Sequence, residues 1–164
     1  MEVNVRSLAA GDISSCGTVL AGLPEWFGLK EANAAYIESL RELPAFVAES
    51  AGNILGFLAL RLHGPKSAEV HVVAVAPTMR RSGVGHQLIA KAREWCSDRG
   101  VRWLRVTTRG PSTPDPFYEQ TRAFFLAEGF EPLFESLTLW GPDDACLVLV
   151  QCLSAGLKSP EESR

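Results

Sequence analysis

From Val73 to Ala92 the chain reads VAVAPTMRRSGVGHQLIAKA, and this stretch constrains the fold more than any other. An apolar run of strand character enters a basic loop that holds Gly83 and Gly85. It leaves at once into a segment whose apolar residues Val84, Leu88, Ile89, Ala92, Trp95 and Cys96 mark one face of a helix. Strand, loop and helix in direct succession commit the chain to a fold that mixes both kinds of element.

The rest of the sequence supplies their partners. VNVRSL, from Val3 to Leu8, alternates as a strand does, and Asp12 is placed to N-cap a helix over Ile13 to Leu20. Leu29, Tyr36, Ile37 and Leu40 recur at helical spacing in a second helix that ends before Pro44, because proline disfavours helical geometry at the residue before it. Phe46 to Glu49, the turn SAGN and Ile54 to Leu62 read as a β-hairpin, and Ala68 to Val75 adds a third strand. Gly100 is placed as the C-cap of the helix that follows the loop. Next come the strand VRWLRVTT, the proline-broken RGPSTPDP, and a helix from Phe117 to Glu128 stopped by Gly129. Phe130 to Trp140 and ACLVLVQCL close the chain as strands, and the polar end from residue 155 to 164 reads as a flexible tail.

At 164 residues, with 46% hydrophobic and 21% charged residues, the chain reads as one globular domain. A formal net charge of -3 gives no general attraction to polyanions, so nucleic acid is not an expected partner and the basic loop is read locally. No run approaches the ~20 apolar residues of a membrane span. The start MEVNVRSLAAGD lacks the basic-then-apolar plan of a signal peptide, so the expected setting is cytoplasmic, with no membrane partner. The four cysteines, Cys16, Cys96, Cys146 and Cys152, form no Cys-x-x-Cys pair, and His63, His71 and His86 do not join them at ligand spacing. Reduced, mostly buried thiols and no metal are expected, with Trp95 and Trp103 as further core residues.

The loop has a chemistry of its own. A helix N-terminus presents backbone N–H groups without intrahelical partners and carries partial positive charge, which suits an anion. Gly83 and Gly85 carry no side chain to block an approach, Ser82 can cap the helix, and Arg80 and Arg81 can pair with phosphate oxygens. The same residues also fit a solvated turn with an ordinary cap.

Arg80, Gly83 and Gly85 fill a signature of Arg or Gln, two residues, Gly, one residue, then Gly or Ala, and here the sequence resembles the GNAT acyltransferase superfamily. The order of elements resembles that superfamily from about Val3 to Leu153. The resemblance implies an α/β (α+β) fold, a mixed, mainly antiparallel sheet of about seven strands flanked by about four helices, in an acetyltransferase domain over residues 1–154. It also implies acetyl-coenzyme A as acetyl donor. The loop residues Arg80, Arg81, Ser82, Gly83, Val84, Gly85 and His86 would hold its pyrophosphate, while the strand residues Val73, Ala74 and Val75 would pair with its pantetheine arm. A backbone N–H near Val75 would stabilise the oxyanion that develops during acyl transfer.

An amine acceptor must lose a proton before it attacks a thioester. Glu69 is the first candidate base and His71 the second; even spacing puts Glu69, His71, Val73 and Val75 on one face of a regular strand. Either residue can equally be structural. Many members of the superfamily carry a tyrosine four residues before a Gly-Phe pair as proton donor to the departing thiolate, and the corresponding residue is Phe125. Tyr118, two helical turns earlier, or water can donate instead. In the superfamily the acceptor pocket is built from the segment between the first two helices and from the last hairpin, which places Trp26, Phe27 and Trp140 there. Arg122 is a candidate partner for an acceptor carboxylate, or pairs with Glu119 or Asp115 on the surface. Glu25, Asp143 and Asp144 can attract a cation.

The function so implied is acetyl transfer to a primary amine of a small molecule or peptide, directly within a ternary complex, since no cysteine lies in an evident nucleophile setting. The rival is a coenzyme A-binding sensor without turnover. Monomer and homodimer both fit the sequence.

Overall fold

A computed structural model of the chain describes residues 1–153. The expected tail from residue 155 lies outside the described residues. In chain order the elements are β1 (Asn4–Ser7), a 3-10 turn (Ala10–Asp12), α1 (Ile13–Ala21), α2 (Lys30–Ser39), β2 (Ala45–Ser50), β3 (Asn53–Leu62) and β4 (Ser67–Val75). A second 3-10 turn (Pro77–Met79) leads to α3 (Val84–Asp98), β5 (Trp103–Arg109), α4 (Pro116–Ala127), β6 (Glu131–Ser136) and β7 (Cys146–Cys152).

The punctuation acts as the sequence predicts at most boundaries. Gly100 (φ +69) and Gly129 (φ +87) end α3 and α4 in left-handed geometry, which costs glycine nothing. Asp115 caps α4 by accepting from the amides of Phe117 and Tyr118. Asp12 does not cap α1. Its carboxylate accepts from the Ala9 amide and from Arg6, and that guanidinium holds its pKa down. Leu29 precedes α2 and is exposed, so the apolar face of that helix is only the half-buried Tyr36 and Ile37, with Leu40 buried at its C-cap. The strand expected to reach Trp140 stops at Ser136, and residues 137–145 form turns and bends.

The sheet order is β1-β2-β3-β4-β5-β7-β6. All neighbours are antiparallel except β4 and β5, because the connection between them runs through α3 and returns the chain in the same direction. One face is covered by α1, which buries Ile13, Cys16, Val19 and Leu20 against Val47, Phe57 and Ala59, and by α2, whose Tyr36 and Ile37 are half-buried there. The other face is covered by α3 and α4, with Val84, Leu88, Ile89, Phe125 and Phe130 against Leu58, Leu60 and Leu104. Trp103 is 42% exposed on the outer end of β5 and Cys152 is exposed at the end of β7, so neither joins the core. Both lie at the last register pair of those two strands, beyond the cover of the helices.

One irregularity positions the site. Along β3 the register advances from Ala59 to Leu60, while along β4 it passes from Val72 to Val70, which leaves His71 as the extra residue of a β-bulge. The bulge reverses the alternation. Ala68 and Val70 pack with α3, but beyond His71 it is Val73 and Val75 that pack on that side, and Val72 and Ala74 turn toward α1. Glu69, His71, Val73 and Val75 therefore do not share a face. Glu69 and His71 lie on the α1–α2 side, and the two valines lie on the other.

Candidate active site

The site is a fault in the sheet. β4 and β5 pair only through Ser67–Trp103, Ala68–Leu104 and Glu69–Arg105, and then diverge. β5 keeps its register with β7 for its whole length, so it follows β7 away from β4. The result is a cleft of about 1110 Å³ that reaches from Glu69 at its apex to the loop before α3.

Main-chain groups of β4 face that cleft by alternation. The Ala76 amide donates to the Leu55 carbonyl at 2.8 Å, which makes Leu55/Ala76, Phe57/Ala74 and Ala59/Val72 the hydrogen-bonded pairs of the β3–β4 ladder. The N–H and C=O groups of Val73 and Val75 accordingly point away from β3, toward the strand that has departed. Ala74 differs from the expectation: its main chain is spent on Phe57, and only its side lines the cleft.

At the mouth, Arg81 (φ 58) and Gly83 (φ 85) take left-handed backbone, with Gly83 as the residue before α3. The Arg80 amide turns to Pro77 and the Gln87 amide to Gly83, but among the described residues nothing accepts from the amides of Arg81 to His86. Those donors line or adjoin the cleft, which is the arrangement of an anion-binding nest. Ser82 does not cap the helix; its hydroxyl donates to the Met79 carbonyl. The Val84 side chain is fully buried in the core, so only its amide is available to a ligand. Gly85 is required for packing as well as approach, since a Cβ there would lie 3.1 Å from the Phe124 ring. Arg80 stacks over the Trp26 ring at 4.3 Å, and His86 pairs with Glu128 at 3.0 Å.

At the apex the Glu69 carboxylate meets His63 Nε2 at 2.6 Å and Arg105 Nη2 at 3.1 Å. Strand period would have indicated Arg105, which shares a face of β5 with Thr107 and Arg109. His63 gave no such signal, because the hairpin geometry brings it back over Glu69. His71 packs against Tyr36 of α2, ring centroids 5.3 Å apart, and burial lowers its pKa below the ordinary imidazole value. Tyr118 lines the cleft and donates its hydroxyl to the Trp26 carbonyl at 3.2 Å; burial raises its pKa. Phe125 is buried in the core between Phe124 and Phe130.

The α1–α2 loop closes over the opening. Trp26 Nε1 donates to Thr121 of α4 at 2.9 Å and its ring meets Phe117 edge-on, so this tryptophan links the two faces of the sheet across the gap. Phe27, Trp140 and Asp144 also line the cleft, while Glu25 and Asp143 do not. Arg122 is not in the lining either. It donates to the Arg109 carbonyl at 2.8 Å and fastens α4 to the end of β5. At this end of β5 it is Arg109 that faces the cleft, held by Asp144 at 2.9 Å and Asp115 at 3.0 Å beneath the Tyr118 ring. Among the described residues no group of His, Cys, Asp and Glu could hold a metal ion, and no helix is long and apolar enough to cross a membrane.

A seven-stranded sheet split between its fourth and fifth strands, with a nest of amides at the split, defines the class of the acetyltransferase fold. A solved structure described as a GNAT-family acetyltransferase from Desulfovibrio desulfuricans superposes with a TM-score of 0.84 at 18% identity, over 93% of this chain and 100% of that one. An aminoglycoside 6'-N-acetyltransferase in complex with coenzyme A superposes with a TM-score of 0.77 at 14% identity, over 93% and 98%. The family model described as Acetyltransferase (GNAT) family matches residues 19–124, and the chain belongs to that family. An uncharacterized N-acetyltransferase of Chlorobaculum tepidum is 31% identical over 105 residues, 63% of this chain and 66% of that protein, just short of two thirds of its length.

Proposed function

We propose that the protein is an acetyl-coenzyme A-dependent N-acetyltransferase that delivers the acetyl group to a primary amine of a small molecule or peptide, directly and within a ternary complex. The observation that carries this reading is the set of amides from Arg81 to His86, without acceptors among the described residues, at the open end of the β4–β5 cleft.

The donor fits this chain's groups. The amides of residues 81–86 and the Arg81 side chain would hold its diphosphate, and the outward main-chain groups of Val73 and Val75 would pair with its amide-bearing arm. When bound, it supplies a thioester-activated acetyl group. Of the two outward N–H groups, that of Val73 lies nearer the Glu69–His71 end, where the acetyl group would sit beyond the arm, and would be the donor for charge that develops on the acyl oxygen.

Proton handling falls to the α1–α2 side. Glu69 and His71 both reach the cleft from β4, and the lowered pKa of His71 keeps its imidazole neutral and able to accept a proton at neutral pH. Glu69 is already engaged by Arg105 at 3.1 Å and His63 at 2.6 Å, whereas His71 has no ion-pair partner among the described residues, so His71 is the base this reading prefers. Tyr118 Oη keeps its proton and would be the hydroxyl donor in place of Phe125 once it leaves the Trp26 carbonyl to which it now donates. An acyl-enzyme is disfavoured because Cys16, Cys96 and Cys146 are buried, with burial raising Cys16 to about 12 and Cys96 to about 11.

Phe125, without a hydroxyl where many relatives have one, also supports a second reading, a coenzyme A-binding sensor. Thiol release from acetyl-coenzyme A across a panel of amines, with product mass measured, separates the two. Release with an acetylated product supports transfer; tight donor binding with no release for any amine supports the sensor.

A further inference from the structure

Three carboxylates line the cleft among the described residues, and each is already held by an arginine. Glu69 pairs with Arg105 at 3.1 Å, Asp144 with Arg109 at 2.9 Å, and Glu128 with Arg93 at 3.0 Å. Glu69 and Glu128 gain a histidine contact in addition. Each acidic residue in the wall is thus ion-paired within the protein before any ligand arrives, Asp144 sharing Arg109 with Asp115, which lies outside the lining. Two further arginines, Arg80 and Arg81, line the donor end with no acidic partner among the described residues.

The acceptor wall has a different character. Trp26, Phe27, Tyr36, Tyr118 and Trp140 present aromatic surface to it, and Phe27 and Tyr36 pack edge-on with centroids 5.9 Å apart. Such a wall gains from an apolar or aromatic body; Trp26 and Tyr118 already carry Arg80 and Arg109 on one face, which leaves little π-surface for more than one ammonium. The wall offers a second or third ammonium no carboxylate that lacks an arginine partner, and an extra cation desolvated there would have to displace one of those arginines or stay unpaired.

We infer that the acceptor is an amine with a single positive charge on an aromatic or apolar body, and that polyamines and polycationic aminosugars are excluded by the arginine-matched carboxylates of the cleft. This rests on the transferase reading above. Asp144, which the sequence alone offers as a cation attractor, is on this view a ligand of Arg109.

The test is kcat/KM at saturating acetyl-coenzyme A for 2-phenylethylamine, tryptamine and a short peptide with N-terminal phenylalanine, against 1,5-diaminopentane, spermidine and kanamycin. The aromatic monoamines, free or on the peptide, should exceed the polycations by at least about tenfold, the scale of one unpaired charge in a partly desolvated site. Spermidine or kanamycin matching or surpassing them overturns the inference and leaves acetyl transfer intact. No thiol release with any amine, while coenzyme A still titrates, defeats the transferase reading itself. Arg109→Gln provides a second readout by unmasking Asp144: the ratio of diamine to monoamine turnover should rise about tenfold. An unchanged ratio in a variant with native circular dichroism overturns the charge matching, and the wild-type panel decides alone if that variant does not fold.

Discussion

Exchanging Gly83 for asparagine and, separately, for aspartate isolates the electrostatics of the donor loop. Gly83 has φ +85, and a Cβ built on it would meet nothing within 4 Å, so neither side chain has anything to collide with at its base. Asparagine and aspartate share a shape and tolerate left-handed backbone better than other L-residues, so the conformational strain nearly cancels between them. What remains is one negative charge beside the amides of residues 81–86. Unit charges about 4 Å apart interact by about 1 kcal/mol in bulk water and about 4 kcal/mol near a protein surface. For this solvent-open loop about 1–3 kcal/mol applies, a 5- to 150-fold weaker affinity for coenzyme A in Gly83→Asp than in Gly83→Asn by calorimetric titration. Stability should move the other way, since an acid before α3 favours the helix N-terminus by about 0.3–1 kcal/mol. The affinity gap should narrow at 1 M salt, where the Debye length is about 3 Å. Equal affinities at low salt would refute the placement of the diphosphate at this loop.

The other predictions follow from contacts. Gly85→Ala gains about 1 kcal/mol of helix propensity but crowds the Phe124 ring at 3.1 Å, so stability in urea denaturation should fall by no more than about 2 kcal/mol, and adding Phe124→Leu should relieve the crowding. The acid limb of kcat/KM should have its midpoint below the ordinary histidine value of 6.5 and should vanish in His71→Gln; a limb that survives unchanged removes His71 as the base. The same lowered pKa means that the unfolded chain binds a proton more readily than the folded one. The His71 contribution to stability is therefore complete above about pH 6.5 and is lost as pH falls through the folded value, which titration of urea midpoints in wild type and His71→Gln reads out. A thiol reagent at pH 8 should label Cys152 in the native protein and reach Cys16, Cys96 and Cys146 only after denaturation, since those three are buried.

Much of the architecture was legible in local patterns. Helical spacing from Val84 to Cys96, the turns at Gly52, Gly100 and Gly129, and the proline break after β5 each act within a few residues of where they are written. The loop from residue 80 to 86 was legible as a basic, glycine-bearing turn for the same reason: its left-handed glycine and its run of amides belong to one continuous segment. The aromatic wall of the cleft was legible only in residue type. Trp26, Phe27 and Trp140 do line the cleft, but Arg122 does not, because its guanidinium is captured by the Arg109 carbonyl. His63 and Arg105 became partners of Glu69 through strands that are distant in sequence.

The sequence by itself determined which segments are strands and helices, and that a basic, glycine-bearing turn joins one to the other, because these depend on near-neighbour backbone preferences. The tertiary structure decided the bulge at His71, the parting of β4 from β5 beyond Glu69, and the pairing of each cleft carboxylate with an arginine. All three arise from register between strands or contact between elements far apart along the chain, and no local window of residues encodes a register.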